Sequence, residues 1–372
     1  MRWFLLAIIV VHGLLHLMGV AKAFGLAALP NLERPISREM GLLWLAAAVL
    51  VLVSAPVLLV APRWFWLVGA IAVVLSQTAV VASWRDAKFG TGANVVLLLA
   101  VVHGFLAHGP SSLRAEYRSE ANAALARAPR PRVVVEDDLM RLPPLVRAYV
   151  RASGAVGRPQ IVDFHAVWRG RIRGAESEPW MTFRADQVSV YDAEPTRLFL
   201  MDATMKHMPV DVLHRFVGDA ATFRVRLLSA VTMVDGKGPS MTRVETVTLF
   251  NDLCLLAPGQ LVEPGIVWEP IDDRRVRARY TRGSETISAE LVFDAENQLV
   301  DFVSDDRTAA SSDGKSFTVQ RWRTPVRDYR AFGARRVMTV GEARWEPLTG
   351  KGFTYLEIEL ESIAYNTSAE GT

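Results

Sequence analysis

Four apolar runs occupy the first third of the chain and constrain its fold more than any other feature. Each has close to the roughly 20 residues that an α-helix needs to cross the hydrocarbon core of a bilayer. The runs cover residues 3–24, 41–62, 64–83 and 93–109. Tryptophans lie at the ends of these runs, where an amphipathic ring prefers the headgroup level. Because the links between runs are short and polar, the sequence predicts an up-down four-helix transmembrane bundle over residues 1–110.

Charge separates this region from the rest of the chain. Residues 1–110 carry seven Lys or Arg and three Asp or Glu, whereas residues 111–372 carry 35 and 36. The pattern indicates a membrane bundle joined to a soluble domain, and it excludes a wholly soluble or disordered chain. We predict a linker over residues 111–135, a β-rich soluble domain over 136–366 and a tail over 367–372. A nearly neutral soluble part makes nucleic acid an unexpected partner.

Location and orientation follow from the residues that flank the spans. Arg2 and Ala21-Lys22-Ala23 are typical of a signal peptide, but the first run is longer than usual and three more follow it, which favours a retained span. Five basic residues flank the membrane on each side. The starting amine, with Arg130 and Arg132, tilts the balance toward a cytoplasmic soluble domain. We expect an integral protein of a cell membrane with four spans.

The apolar period changes to two beyond Pro159, as expected for half-buried strands. Val276, Ala278 and Tyr280, for example, alternate with arginines. About ten strands are predicted, joined by glycine-containing turns. Residues 209–217 and 240–257 break the alternation and are predicted as helices that cover the apolar face of the sheet. The expected fold is therefore a four-helix transmembrane bundle followed by a large curved antiparallel β-sheet domain with covering helices, in the α+β class.

Several motifs resemble an uncharacterised bacterial membrane-protein family that has a C-terminal domain of unknown function. In the membrane part they are His12-Gly13-Leu14-Leu15-His16-Leu17-Met18-Gly19, Pro35-Ile36-Ser37-Arg38 and Asp86-Ala87-Lys88-Phe89-Gly90-Thr91. In the soluble part they are Glu245–Asp252, Trp268-Glu269-Pro270, Ser304–Arg307, Asp313-Gly314-Lys315, Arg321-Trp322 and Gly341–Trp345. The soluble part also resembles the curved sheets with a helical lid of bacterial lipoprotein and lipid carriers. The resemblance implies a fold and a bacterial membrane, but no activity.

Histidines in the apolar runs are candidates for binding a cofactor. His12 and His16 share one face of the first span, and His103 lies at a similar depth on the fourth. Facing imidazoles can hold haem or relay a proton, so one hypothesis is a membrane haem or redox protein. The alternative is that these side chains only join helices, through hydrogen bonds to Ser76, Gln77, Thr78 or Asn94. The sequence identifies no cofactor.

Charged side chains of the soluble part are candidates for a polar site. These candidates are Asp252, Asp305, Asp306, Arg307 and Arg321. With Glu245, the carboxylates are possible acid–base groups of a membrane-tethered hydrolytic enzyme, although pairing with arginine is the more common role. No HExxH or GxSxG motif is present, and Gly314-Lys315-Ser316 lacks the first glycine of a phosphate-binding loop. The sequence therefore predicts no catalytic residue and no metal site, and it leans against an enzyme.

One segment of the soluble part is rich in soft and aromatic side chains. Methionine suits adaptable apolar pockets, so this segment is a candidate for binding an apolar or lipid-like small molecule. The candidate residues are Met201, Met205, Met208, Trp180, Phe183, Phe199 and Phe216. The preferred hypothesis is a membrane-anchored protein whose partners are the lipid bilayer and such a ligand, which these residues and the two covering helices would enclose in a cavity.

Overall fold

The computed structural model describes residues 2–29, 32, 34–310, 317–347 and 351–369. The chain divides into two compact units, one ending at Glu116 and one beginning at Tyr117. Part of the sequence interpretation, Asp313-Gly314-Lys315 with Ser316, lies outside the described residues.

Eight α-helices are present among the described residues. They are α1 (Arg2–Ala23), α2 (Arg38–Val60), α3 (Pro62–Ala82), α4 (Trp84–Ala87), α5 (Gly90–His108), α6 (Leu113–Ala126), α7 (Pro144–Ala152) and α8 (Pro239–Leu256). Short 3₁₀ helices cover Glu136–Arg141, Pro258–Val262 and Thr367–Ala369.

Four of these helices, α1, α2, α3 and α5, are long and apolar enough to cross a membrane, and they coincide with the four apolar runs. Their contacts use small residues, which let helix backbones approach closely. At Gly19 of α1, an added Cβ would lie 2.3 Å from the ring of Trp44 on α2. Ser37 caps the first turn of α2 by accepting a hydrogen bond from the amide of Met40 at 3.2 Å.

Sixteen strands occur in the described part of the second unit, where about ten were predicted. They are β1 (Asp163–Ile172), β2 (Met181–Val190), β3 (Thr196–Met205), β4 (Met208–Val217), β5 (Ala220–Leu227), β6 (Val231–Lys237), β7 (Ile266–Pro270), β8 (Arg275–Arg282), β9 (Glu285–Phe293), β10 (Leu299–Ala310), β11 (Phe317–Arg323), β12 (Val326–Arg327), β13 (Arg330–Phe332), β14 (Arg335–Val337), β15 (Val340–Glu346) and β16 (Phe353–Tyr365). The difference arises in part because β4 was predicted as a helix and because β12, β13 and β14 contain only two or three residues each.

Fourteen strands form one antiparallel sheet, which confirms the predicted fold class. Its order is β6-β5-β4-β3-β2-β1-β16-β15-β11-β10-β9-β8-β7, with β12 on β15. The remaining two, β13 and β14, pair with each other. The first and last strands, β1 and β16, lie side by side in the middle, with Phe164 opposite Tyr365.

The predicted helix at residues 209–217 is wrong, because this segment is strand β4. The polar–apolar alternation fails there since β4 is buried on both faces. Val212 is buried on the face toward α8, and Leu213 is fully buried on the other. That second face is contacted by α6, whose Glu120 accepts hydrogen bonds from Arg215 at 2.7 and 2.8 Å. Helix α6 lies within residues 111–135, which were predicted as a linker.

Helix α8 was predicted over residues 240–257 and is confirmed. It packs on one face of the sheet, called the inner face, and makes its closest contacts with β4, β5 and β6 on one flank and β9 and β10 on the other. The sheet curls round it: Arg282 at the end of β8 donates to the carbonyl of Ala193 beyond β2, and its Nε lies 3.7 Å from Asp219 beyond β4. The opposite, outer face carries cross-strand ion pairs such as Arg169–Glu359 and Arg171–Glu357, both at 2.7 Å.

Candidate functional site

A group of charged side chains is buried between α8 and the inner face of the sheet. Glu245 and Asp252 are seven residues apart on α8, almost two full turns, so both project from the same side of the helix. That side faces the sheet, which makes it unusual: an amphipathic helix normally turns its apolar side to the core. We call Glu245, Asp252 and the sheet residues that contact them the inner polar cluster.

Arg197 of β3 links the two carboxylates. Its Nε donates to Asp252 at 2.5 Å, and its Nη1 lies 3.4 Å from the second oxygen of Glu245. Gln187 of β2 also donates to Asp252, at 2.7 Å, and accepts from the indole nitrogen of Trp168 at 3.0 Å. Arg197 is buried with a side chain 7% exposed, so its charge must be compensated within the protein, and Asp252 is the nearer of the two carboxylates.

His214 and Arg307 meet at the other oxygen of Glu245. Nδ1 of His214 lies 3.1 Å from Oε1, and Nη2 of Arg307 lies 4.0 Å from it. Six strands separate β4 and β10 in the sheet, so this meeting depends on the curl of the sheet around α8. Burial alone would raise the pKa of Glu245, but His214, with help from Arg197 and Arg307, lowers it to about 2. Glu245 is therefore a permanent buried anion, unsuited to accepting a proton near neutral pH.

Two of the five polar candidates from the sequence, Asp252 and Arg307, belong to the inner polar cluster. Asp305 and Arg321 instead form an exposed ion pair with oxygen–nitrogen distances of 2.9 and 3.0 Å. Asp306 accepts hydrogen bonds from Arg243 of α8 and from the amide of Ser288, both at 2.6 Å.

Sequence reasoning missed Arg197, Gln187 and His214. His214 had been placed in a helix, so its position on the inner face of β4 was hidden. A signal for Arg197 does exist, because it is the one cation in the buried apolar segment Thr196–Met201. Combined with two carboxylates on one side of a buried helix, a lone arginine in an apolar strand predicts an internal ion pair.

The membrane histidines take part in hydrogen bonds between helices. His12 Nε2 lies 3.0 Å from Ser76 Oγ and 2.9 Å from Asn94 Oδ1, while His16 Nε2 lies 2.7 Å from the same hydroxyl. These are partners that the helix-joining alternative named. Because His103 follows Asn94 by nine residues on α5, it lies about 13 Å along the helix from this contact and is not brought to His12. Because Nε2 of His12 and Nε2 of His16 both take part in these hydrogen bonds, their geometry gives the haem hypothesis no support.

The apolar candidates lie mostly on the inner face. Strand register places Phe183, Met201, Phe199, Phe216, Met205 and Met208 there, on β2, β3 and β4. Trp180 instead precedes β2 and is stacked against the guanidinium groups of Arg171 and Arg173, at 4.6 and 4.4 Å. A cleft of about 200 Å³ lies elsewhere and is lined by Tyr149, Ala152, Ser153, Glu296, Gln298, Tyr329 and Arg336.

The described residues contain no group of three or more His, Cys, Asp or Glu side chains arranged to hold a metal ion. Burial raises the pKa of the Cys254 thiol, which makes it a poor nucleophile. What the inner polar cluster offers chemically is a set of fixed donors and charges inside an apolar surface. That arrangement suits the recognition of a polar group on a ligand whose remainder is apolar.

Comparison with known proteins gives weak structural likenesses. A search of curated proteins found no match. A domain from Vibrio parahaemolyticus named for outer membrane lipoprotein sorting is similar over 55% of this chain and 86% of its own, at 11% identity and a TM-score of 0.31. A DUF1329 family protein from Desulfovibrio piger is similar over 60% and 92%, at 11% identity and a TM-score of 0.34.

The family comparison is more extensive. A family model described as a family of unknown function, DUF6544, matches residues 132–358, which is more than half of the chain. The matched region runs from before β1 into β16 and contains every member of the inner polar cluster. The uncharacterised family suggested by the sequence motifs is thereby confirmed, and the chain belongs to DUF6544.

Proposed function

We propose that this chain is anchored in a bacterial cell membrane by α1, α2, α3 and α5, and that its β-domain binds an apolar or lipid-like molecule on the inner face. One observation carries the proposal: a row of half-buried apolar side chains crosses five adjacent strands of that face. The row consists of Leu356, Ile172, Met181, Met205 and Met208.

The contrast with the outer face supports a binding role for this row. At the same level of the sheet, the outer face carries charges such as the Arg171–Glu357 pair. An apolar row left partly open to water is unfavourable unless something covers it. A hydrocarbon chain laid along it would gain about 0.8 kcal/mol for each buried CH₂ group. Three of the five side chains are methionines, whose flexibility allows such a chain to enter without a preformed cavity.

The proposal extends to the residues between this row and α8. Phe183, Met201 and Phe199 continue the apolar surface inward and are buried. In this proposal they contact the deeper part of the ligand, and Met205 and Met208 contact the part nearer the end of the sheet.

Substitution of Met205 tests the ligand site. Met205→Trp should fill the space a ligand needs and reduce the amount of lipid that co-purifies with the full chain, measured by native mass spectrometry. Met140→Trp is the matched control, because Met140 is 67% exposed in a 3₁₀ helix away from the sheet. Thermal unfolding should change little in either variant. A wild-type chain that carries no lipid and takes up none would contradict the proposal.

We also propose a cytoplasmic soluble domain. The basic residues after the fourth span, Arg130 and Arg132, favour retention on that side. A reporter fused after Thr372 that is active only in the cytoplasm should be active. Activity of a reporter that requires export would place the domain on the other side.

A further inference from the structure

Arg307 is a buried cation with unused hydrogen-bonding capacity. It is 8% exposed, its Nε has no hydrogen-bond partner among the described residues, and its one acidic neighbour there, Glu245, is 4.0 Å away. Its guanidinium group lies 4.1 Å from the centre of the Trp322 ring, which holds it in place. By contrast, Arg197 binds two carboxylates. A buried guanidinium left this incompletely paired is costly unless another acceptor can reach it.

His214 becomes a second donor next to Arg307 when its Nε2 also carries a proton. A carboxylate only accepts, so the hydrogen shared with Glu245 is carried by Nδ1, and Nε2 is directed away from Glu245. The side chain is 24% exposed and contacts the ring of Phe223 in a tilted arrangement with ring centres 4.3 Å apart, so it borders the open part of the inner face. Since both side chains lie within 4.0 Å of one oxygen of Glu245, a single small acidic group could contact both.

An apolar track leads away from this pair. On β4, the inner-face residues after His214 are Val212, Val210 and Met208, opposite Met201, Ala203 and Met205 of β3. The six steps from His214 to Met208 along the strand span about 20 Å. The inner face therefore combines the Arg307 guanidinium and the His214 imidazole at one end with a narrow apolar path of the length of a single lipid chain.

We propose that the ligand is a single-chain amphiphile with an acidic headgroup, a carboxylate or a phosphate. Its head oxygens bind Arg307 and His214, and its chain lies along β3 and β4 toward Met205 and Met208. This inference rests on the proposed function. In the ligand-free protein, Glu245 occupies the position of the headgroup. When the ligand binds, Glu245 keeps Arg197 as its partner.

The test compares three probes that share one chain length: dodecanoate, dodecyl phosphate and dodecanol. Each is titrated into the full chain in a nonionic detergent and followed by native mass spectrometry. Arg307→Gln should weaken binding of the two acidic probes by about tenfold or more and leave dodecanol unchanged. Arg321→Gln is the matched control on the outer face and should change none of the three. The tighter acidic probe identifies the headgroup as carboxylate or phosphate.

A second variant keeps the test informative if Arg307→Gln folds poorly. Glu245→Gln removes the competing charge, so it should strengthen binding of both acidic probes while dodecanol binds as before. Equal weakening of all three probes by Arg307→Gln would make Arg307 merely structural and overturn the headgroup site. The headgroup site would also be overturned if the acidic probes bound Arg307→Gln as tightly as they bind the wild-type chain. Failure of every probe to bind the wild-type chain would overturn the proposed function itself.

Discussion

Single residues explain why the interior of this β-domain tolerates charge. Arg197 is placed so that its Nε reaches Asp252 and its Nη1 approaches Glu245, which pairs it with both acids of α8. Removing one partner of a buried pair generally costs about 3–5 kcal/mol, because the other charge stays buried without compensation. Exposed pairs on the outer face, such as Arg169–Glu359, generally contribute at most about 1 kcal/mol. Breaking an ion pair therefore lowers the stability of the fold much more on the inner face than on the outer face.

The low pKa of Glu245 predicts a loss of stability in acid. A carboxyl whose pKa is about 2 in the folded chain and 4.5 when unfolded stabilises the fold above pH 4.5, and this contribution disappears as the pH falls toward 2. The shift corresponds to on the order of 3 kcal/mol. Glu245→Gln should be less stable at pH 7 and lose less stability between pH 4.5 and 2.5, measured by thermal unfolding. Glu359→Gln, which removes an outer-face carboxyl, should keep the acid-dependent loss. An identical loss in Glu245→Gln and wild type would contradict this assignment.

At the scale of elements, sequence periodicity was informative wherever one side of an element faces water. The four spans and α8 were predicted close to their observed ends, and the outer charges of β1 and β16 marked those strands. Strand β4 was missed because α6 covers its outer face, so Asp211 and Leu213 are buried as well as Val212. The pairing of Glu245 with both His214 and Arg307 could not be predicted, since β4 and β10 are brought together only by the curl of the sheet.

Packing of α1 on α2 gives a prediction for the membrane helices. Gly19→Ala would place a methyl group 2.3 Å from the Trp44 ring, so the helices must separate and the bundle should lose stability. Gly92→Ala on α5 is the matched control. Nothing lies within 4 Å of its added Cβ, and alanine is the better helix former, so stability should stay equal or rise by up to about 1 kcal/mol. Thermal unfolding of the full chain in detergent checks both. A Gly19→Ala variant as stable as Gly92→Ala would show that this contact does not limit the packing of α1 and α2.

For the whole soluble unit, the last described residues complete the fold although they were predicted as a tail. Asp163 is fully buried, and its carboxylate accepts hydrogen bonds from Thr367 and Ser368, including their backbone amides. We predict that fragment 117–372 folds without the spans, and that shortening it to 117–366 costs about 2–4 kcal/mol by leaving a buried charge without donors. Urea unfolding of the two fragments measures the difference. Equal stabilities would mean that water replaces these donors.

The side-by-side position of β1 and β16 has a consequence for how the domain forms during synthesis. About 200 residues separate Phe164 from its partner Tyr365, so the central pairing of the sheet closes a very long loop. Until β16 has left the ribosome, β1 presents an unpaired edge, and such edges recruit other chains. The domain should therefore fold slowly and complete its sheet only after β16 has been synthesised, with β1 as the segment that most needs protection from aggregation in the meantime.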